Sequence, residues 1–118
     1  MKPQQNLILD LTFNFALEII KYSEQLEEQR KYVLAKQVLR SGTSVGANVR
    51  ESQHAESKKD FIHKMKIAAK EAEEIKYWLE LCNATPNYPS PNNLFPGLES
   101  IQKVLTKIIV SSKNSTIN

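Results

Sequence analysis

The side chains able to do chemistry are few, and their spacing argues against catalysis. The two histidines, His54 and His63, stand nine residues apart on either side of an expected helix break. They do not share a helix face, and with one cysteine and scattered acids they complete none of the usual zinc ligand sets. Glu71, Glu73 and Glu74 gather acid on one helix. Di-iron bundles place a histidine three residues after such a glutamate, and none of these three has one. Gly42 and Gly46 do not make a phosphate loop, because three residues separate them, no Gly-Lys-Ser/Thr ending follows and no strand precedes. Cys82 lies on an apolar stripe beside no histidine, so a buried structural thiol is expected and not a nucleophile. The expectation is a protein that is not an enzyme and takes no metal or cofactor.

What the sequence does offer is electrostatic. The net charge is +3, but residues 30–66 alone carry nine Lys/Arg against three acids, while residues 1–29 net −3 and residues 67–98 net −2. Lys36, Arg40, Arg50, Lys58, Lys59, Lys64 and Lys66 are the candidate nucleic-acid contacts, cations able to follow a phosphate backbone. No aromatic set is interleaved with them, so stacking on single-stranded bases is not supported. The competing reading is a solvated helix face.

The elements that must carry these residues are helices. At 118 residues the chain suits one domain. Strand alternation and Asn-Gly hairpin turns are missing, and four segments show helical spacing, at about 6–24, 28–56, 58–82 and 94–112. The first repeats Ile8, Leu11, Phe15, Ile19, Tyr22 and Leu26, with Leu7, Phe13, Ala16, Leu17 and Ile20 making a second apolar side that calls for a second partner. The second helix is expected to open on Glu27 and Glu28, since acids favour a helix N-terminus. Its face runs Leu34, Val38, Ser41, Val45, Asn48, Ser52, Ala55. Ser57 and Asp60 form a variant capping box ahead of a third face of Phe61, Met65, Ala68, Ala72, Ile75, Leu79 and Cys82. Lys70–Glu74 and Glu73–Lys76 are spaced for weak surface ion pairs. Residues 83–93 hold three Pro and four Asn and form a stiffened loop, after which Asn93 is expected to cap a helix bearing Leu94, Leu98, Ile101, Leu105 and Ile108. Four amphipathic helices with mostly short connections predict an all-α, antiparallel up-and-down four-helix bundle. A lone cysteine, no signal-peptide pattern and no apolar run near the roughly 20 residues of a membrane span point to a cytoplasmic protein.

The stretch from Arg40 to Glu51 is unusual for a helix interior. Gly42 and Gly46 each cost about 1 kcal/mol relative to alanine there, and close helix–helix contact is the expected compensation. Ser41, Ser44 and Asn48 add small polar groups on the same turns.

This stretch, Gln37-Val-Leu-Arg-Ser-Gly-Thr-Ser-Val-Gly-Ala-Asn-Val-Arg-Glu51, together with Ser57-Lys-Lys-Asp-Phe61, Ala68-Ala-Lys-Glu-Ala72 and Glu74-Ile-Lys-Tyr-Trp-Leu79, resembles the four-helix proteins encoded in bacterial 23S rRNA intervening sequences. The accessory variability protein of diversity-generating retroelements is similar at greater distance. The resemblance covers about residues 8–110 and implies a ring of bundles, often a homopentamer, associated with RNA or a nucleic-acid-handling complex and without known catalysis. It carries Arg40, Ser44, Asn48 and Glu51 on the second helix and Glu71, Glu74 and Trp78 on the third as structural motif positions. On that footing Asn48 is expected to hydrogen-bond across to a Glu or to backbone, with Arg40 or Arg50 paired to Glu71 or Glu74. Two functions follow: a homo-oligomer binding structured RNA or DNA through a basic surface of helices 2 and 3, or a protein–protein adaptor that does not touch nucleic acid.

Overall fold

Apolar residues spaced three and four apart leave one helical stripe that water disfavours, and burying four such stripes against one another builds the protein. The computed structural model describes residues 3–115. Four helices, α1 (Pro3–Glu28), α2 (Tyr32–Ser52), α3 (Lys58–Ala84) and α4 (Phe95–Ser115), follow in order, a 3₁₀ turn over Asn92–Leu94 leading into the last. Each packs on its neighbours in sequence and α4 closes against α1. Cross-helix partners fix the directions. Ile19 meets Gly42 while Thr12 meets Gly46. Arg40 pairs with Glu71 and Glu74 while Glu51 pairs with Lys64. Gln102 bonds Glu73 while Ser115 meets Lys58. All three neighbours are thus antiparallel, in a rod of 53 × 21 × 19 Å.

The core contains Ile8, Ile19 and Leu26 of α1, Val38, Val45 and Val49 of α2, Met65, Ile75 and Leu79 of α3, and Leu98, Ile101 and Leu105 of α4, all at most 1% exposed. The faces expected of the third and fourth helices are buried, except that Phe61 is only half-buried. The α2 face is partly rotated from expectation: Val38, Ser41, Val45 and Ser52 are buried as expected and Ala35, Gly42 and Val49 join them, whereas Leu34 and Asn48 are only partly buried. The two glycines explain the rotation. A Cβ on Gly42 would lie 2.7 Å from Cγ1 and Cγ2 of Ile19, and one on Gly46 would lie 3.2 Å from Oγ1 of Thr12. Turning its glycine side to α1 lets α2 approach more closely than any side chain there would permit. The buried hydroxyls are satisfied locally: Thr12 donates to the Ile8 carbonyl (2.8 Å), Ser41 to that of Gln37 (2.8 Å) and Ser52 to that of Val49 (2.6 Å), while Ser23 reaches across to that of Ala35 (3.1 Å).

The helix boundaries depart from the sequence expectation at three places. Glu27 and Glu28 do not open the second helix; they end the first. Arg30 adopts φ 62°, its N–H bonds the Glu27 carbonyl (2.9 Å) and the Lys31 N–H bonds that of Leu26 (2.8 Å). This is the Schellman closure, which satisfies carbonyls that would otherwise be left open and here outweighs the charge preference. At the other end α2 stops at Ser52 and not near residue 56, because the N–H groups of Gln53, His54 and Ala55 turn to carbonyls three residues back. Ser57 then caps α3 by accepting from the Asp60 N–H (3.0 Å), and Asp60 accepts in return from the Glu56 N–H (3.2 Å), one residue before the usual box position. Asn93 does not cap α4. It lies inside the 3₁₀ turn, whose Leu94 N–H bonds the Pro91 carbonyl (2.9 Å). The Pro-rich loop is fastened to the bundle by Tyr22, whose hydroxyl donates to the Pro89 carbonyl (2.7 Å), and by Lys31, whose ammonium sits 4.9 Å above the Tyr88 ring centre.

Candidate functional site

The motif residues of α2 and α3 meet in one groove and neutralise one another. Arg40 places Nη1 3.2 Å from Oε2 of Glu71 and Nη2 against Oε2 of Glu74, and Gln37 accepts from its Nε. The Trp78 indole N–H donates to the same Glu74 oxygen (3.1 Å), and the Tyr77 ring stands 5.4 Å from the indole. About three turns toward the α2 C-terminus Lys64 and Glu51 pair at 3.2 Å. Asn48 does not bond across the groove. Its side-chain amide donates to the Ser44 carbonyl (2.9 Å) and the Ser44 hydroxyl donates to that of Arg40 (2.6 Å), because the carbonyl four residues back is the nearest acceptor for a short side chain on a helix. Arg50 has no part in the groove; its guanidinium lies 6.0 Å from the Phe13 ring centre on the α1 side. Glu73 and Glu74 take Gln102 and Arg40 as partners in place of the expected Lys76 and Lys70. Arg40 is half exposed, so the ion pairs contribute at most about 1 kcal/mol each. The groove aligns α2 with α3, and its carboxylates are engaged by Arg40, Trp78 and Lys64.

A second feature is apolar. Phe13, Leu17 and Ile20 of α1 are 53, 44 and 40% exposed, and Leu39 of α2 is 40% exposed. Phe13 lines a shallow trough with Leu9, Ala16, Thr43 and Ala47 above the glycine contact, and Leu17 and Ile20 continue the Phe13 stripe along α1 at helical spacing. At one end the exposed Asp10 of α1 and the exposed Arg50 of α2 stand together beside Phe13.

A third feature is cationic. Of the seven candidate nucleic-acid contacts, the structure brings together Lys59 and Lys66, with Lys58 beside them, near the start of α3. Lys59, His63 and Lys66 follow one α3 stripe at successive turns, and Lys113 from the end of α4 faces them across a cleft floored by Ile62. Lys113 lowers the Lys66 pKa, first through a side-chain hydrogen bond that only a neutral amine could accept and then through like charge. Lys58 reaches the Ser115 hydroxyl. The other four lie elsewhere: Arg40 and Lys64 in the α2/α3 groove on carboxylates, Arg50 at the trough beside Phe13, and Lys36 exposed near the start of α2. The seven therefore do not form one surface of helices 2 and 3; the cluster belongs to α3 and α4.

The model of the 23S rRNA-intervening sequence proteins matches residues 4–109. The chain belongs to the 23S rRNA-intervening sequence protein family. A crystal structure of a protein of unknown function from the S23 ribosomal protein family of Bacteroides thetaiotaomicron superposes on it with a TM-score of 0.84 at 41% identity, covering 90% of this chain and 97% of that one. No curated protein matches the chain.

In this 23S rRNA-intervening sequence protein the remaining reactive groups are held in structural positions. Cys82 is buried against Tyr22, and burial pushes its thiol above the ordinary range. Burial likewise raises the Tyr22 hydroxyl beyond the usual tyrosine range. A glutamate–histidine pair at three-residue spacing does occur, Glu51 and His54, outside the acid cluster considered above. It is split in space: Glu51 turns to Lys64, while His54 lies past the end of α2 among Asp10, Arg50 and Gln53. Among the described residues no three His, Cys, Asp or Glu side chains gather as metal ligands, and no helix is long and apolar enough to cross a membrane. Sequence reasoning did not place Lys113 beside Lys66, nor His63 in the same cleft. Lys113 lies far from Lys66 in sequence, and only the antiparallel register of α3 and α4 brings them together.

Proposed function

We propose that this chain is a non-catalytic, cytoplasmic, self-associating bundle that holds structured RNA or DNA, with copies joined through the α1/α2 trough, in a ring of the pentameric kind. The single observation carrying this reading is the row Phe13, Leu17 and Ile20, each at least 40% exposed on a helix whose opposite side is already buried. Singly exposed apolar residues are ordinary, but a contiguous row beside Leu39 marks a contact surface. A second copy is the occupant we propose, because the row is apolar and its end carries an exposed acid, Asp10, beside an exposed cation, Arg50, each able to meet its opposite on another copy. Family membership supports the nucleic-acid part only through the family's description. Light scattering tests the reading: wild type is expected to be a multimer, and Leu17→Glu a smaller species with unchanged helicity by circular dichroism. A wild-type monomer would defeat it, and a monomer that captures a defined protein partner would favour the adaptor alternative.

A further inference from the structure

The row on α1 is not the sole apolar surface; a second lies along the edge between α2 and α3. Tyr77 is 55% exposed and Val33 77%, while Trp78 and Leu81 are only partly buried. The Tyr77 ring leans on the Trp78 indole, whose N–H is fixed on Glu74. Helix register joins Val33 to this group. Arg40 pairs with Glu74, and seven residues back from Arg40 and seven on from Glu74 bring Val33 level with Leu81, one turn past Tyr77. The bundle sets the two surfaces apart. α1 and α3 each pack on α2 and α4 in a cross-section of 21 × 19 Å, so the helices stand at the corners of a near-square. The α1/α2 trough and the α2/α3 edge are neighbouring sides of that square and look out about 90° apart, with α2 at the shared corner. Their charges differ too. The exposed Asp10 and Glu24 lie seven residues to either side of Leu17 and share its stripe. The exposed Lys70 lies seven residues before Tyr77 on its stripe, and the exposed Lys36 about one turn after Val33. Two α1 rows laid on each other would oppose acid to acid, whereas an α1 row laid on the α2/α3 edge meets lysine.

We infer that neighbouring copies meet through unlike faces, the α1/α2 trough of one seated on the Val33, Tyr77 and Trp78 edge of the next. That edge is the second surface of the self-association in the proposed function, on which this assignment rests. Contacts between unlike faces close into a ring where the rotation permits, whereas a face that meets itself stops at a dimer. A ring needs the two faces about 90° apart for four copies and about 108° for five, so neighbouring sides of a near-square bundle suit a small closed ring and not a filament. Both contact faces flank α2. That helix therefore turns toward the ring axis, and α4, at the opposite corner, stays outside.

The test is light scattering on single variants and on their mixtures, with circular dichroism confirming that each folds. Tyr77→Glu, and Val33→Glu as an independent second change, should each reduce the multimer to single chains, as should Leu17→Glu. Val110→Glu places the same charge on a half-exposed apolar residue of α4 and should keep the wild-type mass. The mixture decides between like and unlike faces. Leu17→Glu keeps an intact edge and Tyr77→Glu an intact trough, so the two together should form one contact and double the mass to a two-chain species. Tyr77→Glu and Val33→Glu chains of wild-type mass would overturn the edge while leaving self-association standing. A mixture that stays as single chains, or a wild type that stops at two, would count against unlike faces in the same way. Loss of assembly by Val110→Glu would place α4 in the contact and refute the arrangement around α2. A wild type that is itself a single chain would remove both this assignment and the self-association beneath it.

Discussion

Replacing Gly42 by alanine sets two effects against each other. Helix propensity alone favours Gly42→Ala by about 1 kcal/mol, since alanine restricts the unfolded chain and suits a helix interior. Packing opposes it. The new Cβ would lie 2.7 Å from both Cγ atoms of Ile19 and 3.0 Å from its Cδ1, closer than carbon atoms tolerate. Ile19 is fully buried and β-branched, and its Cγ atoms are fixed to Cβ, so the side chain has no free end to swing away. Relief requires α1 and α2 to separate, which loosens Val38, Val45 and Ile8 as well. Overpacking of this kind costs about 1–3 kcal/mol, and a double clash belongs at the upper end. The net expectation is a loss of about 1–2 kcal/mol, or roughly 4–8 °C in Tm for a chain of this length. Urea and thermal unfolding followed by circular dichroism, at one protein concentration so that assembly is held constant, measure it. Gly46→Ala is the internal control. Its Cβ would meet Thr12 atoms at 3.2–3.4 Å, a tight but adjustable contact, so the change should fall near zero. If Gly42→Ala matched or exceeded wild type in stability, propensity would have won, and the claim that close α1–α2 approach requires glycine would fail.

Two further predictions concern the turn and the buried hydroxyl. Arg30→Gly should raise stability by about 1 kcal/mol in the same unfolding assay, because Arg30 holds φ 62° where a side chain is penalised; a loss would show that its side chain contributes more than the strain costs. Tyr22 and Cys82 both have raised folded-state pKa values, so their stability contribution is complete below the unfolded thiol and phenol values of 9.0 and 10.0 and is lost as pH rises past them. Urea midpoints should therefore fall above about pH 9. Cys82→Ala should remove the earlier part of that fall, and a midpoint flat to about pH 11 would contradict the buried placement of both groups.

The fold was legible because its cause is periodic. Ile75, Leu79 and Cys82, or Leu98, Ile101 and Leu105, repeat at helical spacing whatever lies opposite, and with no strand pattern to compete, four such stripes lead to a bundle. Helix ends were less legible. The acids Glu27 and Glu28 carry a charge signal worth tenths of a kcal/mol, whereas the closure at Arg30 depends on two backbone hydrogen bonds and a left-handed residue that composition does not announce. Asn48 was expected to reach a Glu or backbone; its acceptor is backbone but on its own helix, since a helix supplies an acceptor four residues back before any neighbouring helix can.

The helical class, most of the buried stripes, the second apolar side of α1 and the need for close contact at the glycines all follow from the residues alone. Each of these is a property of local spacing or of a missing side chain. Only the tertiary structure decided which cations are neutralised and which converge. Arg40 finds Glu71 and Glu74, Lys64 finds Glu51, and Lys66 finds Lys113, each across a helix boundary. Charge acts through distance in space, and for residues on different helices that distance is set by the register of the packed core and not by their separation along the chain.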